Sequence, residues 1–193
     1  MPNYAIKRDL RAYIRFKFYI GRVDPLFWLL GGKVPNSSLI IEPVEMLKSF
    51  NANDAQLFAD KWLSAFGLNR LGANTNSYMW HVFSGGNFPS ISGQEALDAY
   101  KTHEAAEYIV LSKDRTAAIS TITKPDKCNA SDYYIFPENL AWTLAMTHEN
   151  GWLGPYFAFH KDYKLLNQTN VSNNQARLLK LKELAIAQSK GWV

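Results

Sequence analysis

His148 and Glu149 stand side by side just ahead of Asn150-Gly151. Both residue types bind zinc and move protons. A metal needs at least one further protein ligand, and His81 is the residue that supplies it if its strand lies next to theirs. His81, His148 and Glu149 therefore form the one constellation that would support a metal-assisted hydrolase. The helical zinc-protease pattern H-E-x-x-H is absent, because position 152 is Trp. The simpler reading is a buried, hydrogen-bonded structural His148 with no metal. Ser84-Gly85-Gly86 lacks the surroundings of a nucleophile elbow, and Cys128 reads as a surface thiol beside Lys127. The chain carries no P-loop and no dinucleotide fingerprint, so no cofactor is expected.

The element that must position His148 and Glu149 is the stretch from Trp142 to Phe159. Asn-Gly suits the two positive-φ positions of a type I′ turn, which predicts a hairpin with a two-residue loop. Trp142 then opposes Phe159, Leu144 opposes Phe157, Met146 opposes Pro155 and His148 opposes Leu153. These side chains share one apolar face, because strand side chains alternate. Thr143, Ala145, Thr147, Gly154, Tyr156 and Ala158 share the other, which reads as small or polar.

The remaining elements follow from periodicity and breakers. A helix is predicted over 53–66, capped by Asn51 or Asn53, ended by Gly67 and apolar at Ala55, Phe58, Trp62 and Phe66. Residues 78–84 alternate and predict a central strand that carries His81. Ser92 with Glu95 matches a capping box ahead of a helix over 92–102. Strands are predicted at 108–111, 117–123 and 132–136. Pro43 fits the start of a short helix to Phe50, 167–174 reads as an asparagine-rich linker, and 175–189 as a terminal helix. The order predicts an α+β fold: an antiparallel sheet of about five to six strands with helices packed on it, and helical N- and C-terminal extensions. Residues 1–50 are the N-terminal extension, 51–166 the core and 167–193 the linker and last helix.

Charge is uneven. Residues 1–23 hold six bases and one acid, and 161–193 hold six bases and two acids. The body, 24–160, holds nine bases and fourteen acids and so carries −5. An acidic body is a poor nucleic-acid surface and a good match for a basic protein partner. Glu95, Asp98, Glu104 and Glu107, with Asp126 and Asp132 nearby in sequence, are the acids predicted to meet it. The aromatics of 78–88 and 133–134 lack interleaved basic residues, so no base-stacking platform is expected. The longest apolar run, Leu26 to Leu30, is too short for a bilayer, no signal peptide is evident, and the single cysteine fits a reducing compartment. A cytoplasmic, membrane-free protein is expected.

Trp80-His81-Val82-Phe83-Ser84, Trp142-Thr143 with Thr147-His148-Glu149, and Gly154-Pro155-Tyr156-Phe157 together carry a resemblance. They resemble a family of small uncharacterised bacterial proteins with a W-H-x-F-S strand and a W-T-x-x-x-T-H-E…G-P-Y-F hairpin. The likeness spans roughly residues 55–160. The chain also resembles the immunity proteins encoded beside secreted or contact-dependent polymorphic toxins, including the Maf-type systems. That resemblance implies a cytoplasmic, non-enzymatic protein that binds one cognate toxin domain and blocks it. Many such toxins are nucleases with basic clefts.

Overall fold

The computed structural model describes residues 39–149 and 151–191. In chain order these form β1 (Ile41–Glu42), β2 (Lys48–Phe50), α1 (Ala52–Phe66), α2 (His81–Ser84), β3 (Ile91–Ser92) and α3 (Gly93–Thr102). Then come β4 (Tyr108–Ser112), β5 (Ala118–Thr121), β6 (Lys127–Cys128), β7 (Tyr133–Pro137), β8 (Trp142–Met146), β9 (Tyr156–Phe159) and α4 (Tyr163–Ser189). The fold is α+β. Seven strands form an antiparallel sheet in the order β2-β5-β4-β7-β8-β9-β3, and β1 pairs with β6 apart from it. The sheet exceeds the expected five to six strands because short β2 and β3 add to its two edges.

The centre of the hairpin keeps the predicted register, with Trp142 opposite Phe159 and Leu144 opposite Phe157. Both of its faces are buried, so the face read as small or polar is also core. Thr143 and Ala145 are each 0% exposed. Their small side chains admit α1, whose Trp62 Nε1 donates to Thr143 Oγ1 at 2.8 Å. The sheet is thus the middle of three layers. Tyr134, Phe136, Ala145, Tyr156 and Ala158 pack on α1 and on residues 79–83. Tyr108, Val110, Ile119, Ile135, Trp142, Leu144 and Phe157 pack on α3 and on Leu39 and Ile41.

Helix α1 is built as its sequence predicts. Asn51 Oδ1 accepts from the Asp54 amide at 3.0 Å, and the Gly67 amide closes the last turn on the Leu63 carbonyl. Its buried stripe is Ala55, Ala59, Trp62, Leu63 and Phe66.

Four expectations are corrected. Residues 78–84 are not a strand. Tyr78–Trp80 form a turn that runs into α2, because Met79, Val82 and Phe83 fall at i, i+3 and i+4 and bury one helical face. The segment from Pro43 to Phe50 holds no helix; its end is β2, whose backbone completes the β5 edge at Lys48↔Ser120. Ser92 precedes α3 but its side chain makes no cap bond, so the capping box does not form; Gly93 opens the helix at φ +64 instead. Residues 167–174 are not a linker but lie inside α4, pinned where Asn139 Nδ2 donates to the Leu166 carbonyl at 2.9 Å. The helices expected before residue 39 lie outside the described residues. No helix among the described residues is long and apolar enough to cross a membrane.

Candidate functional site

The residues quoted for the sequence motifs meet at one end of the sheet, around Asp132. This aspartate lies just ahead of β7 and is 3% exposed. Trp80, from the turn before α2, donates from Nε1 to Asp132 Oδ1 at 3.1 Å. His148, just past β8, donates its backbone N–H to the same oxygen at 3.2 Å. The His148 ring places Nδ1 2.9 Å from Oδ1 and 3.1 Å from Oδ2. Ser131 Oγ adds a bond to Oδ2 at 3.0 Å. An ionised carboxylate only accepts, so His148 carries its proton on Nδ1 in this pair. Burial opposes ionisation of Asp132, but the bonds from the His148 ring, the His148 backbone, Ser131 and Trp80 hold its carboxyl below the usual value of 3.8.

With Nδ1 occupied, His148 Nε2 turns towards Glu149 Oε1, 3.7 Å away. Glu149 Oε2 is buried with no hydrogen-bond partner among the described residues. Burial, and then the Glu149 charge, push the Tyr156 phenol up. Aromatic rings wall the site. His148 lies 5.1 Å from Tyr78 and 6.2 Å from Trp80, and Trp80 stacks on Tyr156 at 6.2 Å. His81 sits on the same two rings, 4.4 Å from Trp80 and 5.4 Å from Tyr78. Lys113 Nζ lies 4.6 Å above Tyr78.

Two expectations for His148 part here. It has the hydrogen-bond partner expected of a structural histidine. It is not buried: its side chain is 39% exposed, and it faces Trp80 and Tyr78 rather than Trp142 and Leu144. The physical reason is the end of the ladder. Strand pairing stops at Ala145↔Tyr156, so alternation no longer governs His148, and Asp132 captures both its backbone and its ring. The tip closes with the Trp152 and Leu153 amides on the Glu149 carbonyl, each at 2.9 Å. Thr147 Oγ1 donates to the Leu153 carbonyl. Gly154 is required beside it: at φ +89, a Cβ there would lie 2.8 Å from Thr147 Cγ2.

The three proposed ligands, His81, His148 and Glu149, come to one neighbourhood without forming a ligand set. Among the described residues no three His, Cys, Asp or Glu side chains group so as to hold a metal. Nor does any Ser, Thr or Cys donate to the His148 ring among the described residues, so the Asp132–His148 pair has no nucleophile in place. Cys128 lies on β6 and is half-buried rather than a surface thiol, and burial pushes its thiol up, which disfavours the thiolate.

The six acids named from sequence divide. Glu95 and Asp98 are exposed on α3, and Asp98 pairs with Lys101 at 3.0 Å. Glu104, just past α3, bonds Lys124 Nζ and the Tyr108 hydroxyl, each at 2.7 Å. Asp126 is exposed and Glu107 half-buried. Asp132 departs from the expectation of a surface acid, since its oxygens are spent on Trp80, His148 and Ser131. Its role, and those of Tyr78 and Trp80, were missed. The available signal was Ser131-Asp132 directly ahead of a strand that neighbours the one leading into His148.

The fold and site define an α+β protein whose sequence motifs converge on a buried Asp132 and the half-exposed His148 paired with it. Residues 57–157, more than half of the chain, match the family described as Domain of unknown function (DUF4275), and the chain belongs to that family. The matched segment runs from α1 into β9 and so contains Trp80, His81, Asp132, His148 and Glu149. No curated protein and no solved structure shows a match to the chain.

Replacing His148 by Ala is expected to cost about 1–2 kcal/mol, since the ring is more than a third exposed but leaves Asp132 Oδ2 short of a donor. Urea unfolding checks it. A loss within experimental error of zero would mean that the pair does not hold the tip.

Proposed function

We propose that this chain is an immunity protein, which binds a cognate secreted toxin domain and blocks it without turnover. The observation that carries the reading is the run of exposed acids on and around α3: Glu95 and Asp98 on the helix, Glu104 at its exit and Asp126 across from it. The −5 body supports it, as does the likeness of the W-T…T-H-E hairpin motif to small bacterial immunity-like proteins. The alternative, a metal-assisted hydrolase using His81, His148 and Glu149, is less well supported, because the three do not form a ligand set. The Asp132–His148 pair acts in this reading as a clasp that fixes the hairpin tip and presents Tyr78 and the 84% exposed Trp152 on the same end of the molecule. Aromatic groups of this kind anchor protein interfaces.

Against a basic toxin domain, such as a nuclease, the acids act mainly on encounter. Reversing Glu95 and Asp98 to Lys together is expected to slow association about tenfold at low salt and to flatten its salt dependence. Reversing Lys180 and Lys182 on α4 should leave affinity nearly unchanged. The experiment is co-expression with the neighbouring toxin domain, then binding kinetics at two salt concentrations. The absence of any complex at micromolar concentration would remove the proposal.

A further inference from the structure

A cleft of about 350 Å³ opens where α1, the loop that follows it and the turn from β4 to β5 meet. Asp60 and Ser64 line it from α1, Arg70, Thr75 and Asn76 from the loop, and Arg115 from the turn. Among the described residues that line it, Leu63 is the one apolar side chain. The size falls within the range of small-molecule sites, roughly 300–1,000 Å³. A lining this polar suits a polar ligand.

Arg115 marks the cleft as built rather than incidental. It sits at φ +61, in the left-handed region that tight turns normally fill with Gly or Asn. Arginine offers that backbone nothing, so what the position keeps is its side chain. That side chain crosses to the loop after α1, where Nη2 donates to the Thr75 carbonyl. Asp114, its neighbour in the turn, is engaged elsewhere: Oδ1 accepts from Ser112 Oγ at 2.6 Å and from the Thr116 amide at 3.1 Å. The loop is fixed as well. The Ala73 amide donates to the Arg70 carbonyl at 3.0 Å, and Asn74 Nδ2 donates to Ser77 Oγ at 3.0 Å. Among the described residues neither guanidinium has an ion-pair partner, and the Arg70 guanidinium and the Asn76 carboxamide have no hydrogen-bond partner.

Two guanidiniums in one cleft offer planar forks that match phosphate oxygens and a charge that matches the dianion. Asp60 narrows the choice. Gln56 Nε2 donates to its Oδ1 at 2.8 Å, which leaves Oδ2 without a donor. A carboxylate weakens a site for a bare anion, but it accepts from a hydroxyl carried on the same molecule as the phosphate. We propose that this cleft binds a small phosphomonoester whose carbon frame carries hydroxyl groups, with the phosphate on Arg70 and Arg115 and a hydroxyl on Asp60. The cleft lies on the α1 side of the sheet and α3 packs on the other. The site therefore stands apart from the proposed toxin contact and is tested without a toxin.

The probes are glycerophosphate, inorganic phosphate and glycerol, each titrated into the whole chain through the millimolar range at constant ionic strength. Glycerophosphate should shift the Nε–H resonances of Arg70 and Arg115 and the backbone amides of Thr75 and Asn76 saturably. It should bind about fivefold more tightly than inorganic phosphate, and glycerol should shift nothing. No saturable shift with glycerophosphate would overturn the proposal. Equal affinity for inorganic phosphate would overturn it too, by showing a site for an anion alone. Arg70→Gln should unfold at the wild-type temperature, because this side chain has no partner in the free protein, and should bind glycerophosphate at least about tenfold more weakly. A lower midpoint would make Arg70 a structural residue and count against the site. Arg115→Lys keeps the charge without the fork and should also weaken binding. Wild-type affinity in either variant would sink the assignment.

Discussion

Asp132→Ala lowers the unfolding free energy by about 2–4 kcal/mol, the range expected when a buried charged acceptor is removed from several donors at once. The loss leaves Trp80 Nε1 buried without its acceptor and frees both the backbone and the ring of His148. Trp80 is 1% exposed, so water does not replace the bond without disturbing the α2 end of the core. Asp132→Asn separates charge from shape. The folded-state pKa of Asp132 lies below its unfolded value, so its ionisation adds stability that is fully present above 3.8 and is lost as pH falls through the folded value. Urea midpoints of the wild type should therefore drop more steeply below pH 3.8 than those of Asp132→Asn. Parallel curves would mean that Asp132 is not held as the anion by His148, Ser131 and Trp80.

Trp62→Ala is expected to cost more, about 3–5 kcal/mol, as for other fully buried large aromatics. Trp62 is 0% exposed at the centre of α1 and packs against Phe66 and Tyr134, each 5.2 Å away between ring centres, and Phe83 at 5.4 Å. Its indole also joins α1 to β8 through Thr143. Against a typical stability of about 5–15 kcal/mol, this removes a large share of the total. Trp152→Ala supplies the contrast. At 84% exposure it should change stability by less than about 0.5 kcal/mol. If the two variants unfold alike, α1 does not lie on the sheet as described.

Hydrophobic pattern carried most of the sheet because strands obey a rigid period of two. The Trp142/Phe159 and Leu144/Phe157 pairs, the strands at 108–112 and 133–137, and α1 with its Asn51 cap were all legible that way. Where the argument failed, the period was not the deciding force. Tyr78 to Ser84 fits alternation and helical spacing equally over seven residues, and burial of Met79, Val82 and Phe83 against the sheet decided for the helix. The asparagines at 167–174 have poor helix propensity, yet Asn139 and the packing of Asn170 keep them helical. For the site, His148 and Glu149 were visible as chemistry-bearing types. Their orientation was not, because it depends on a bond to Asp132 sixteen residues away. The same bond turns Asp132 from a surface acid into the centre of the cluster.

In the immunity reading proposed here, the clasped hairpin tip and the exposed acids of α3 are surfaces presented to another protein. Stoichiometry is the property that separates such a binder from an enzyme acting on the toxin or its product. The decisive measurement is the activity of a fixed amount of the cognate toxin domain as this chain is titrated in. Binding without turnover predicts a linear fall that reaches zero at one equivalent and recovers when the complex is dissociated. Complete protection by a small fraction of an equivalent, or full toxin activity in the presence of excess chain, would contradict the account.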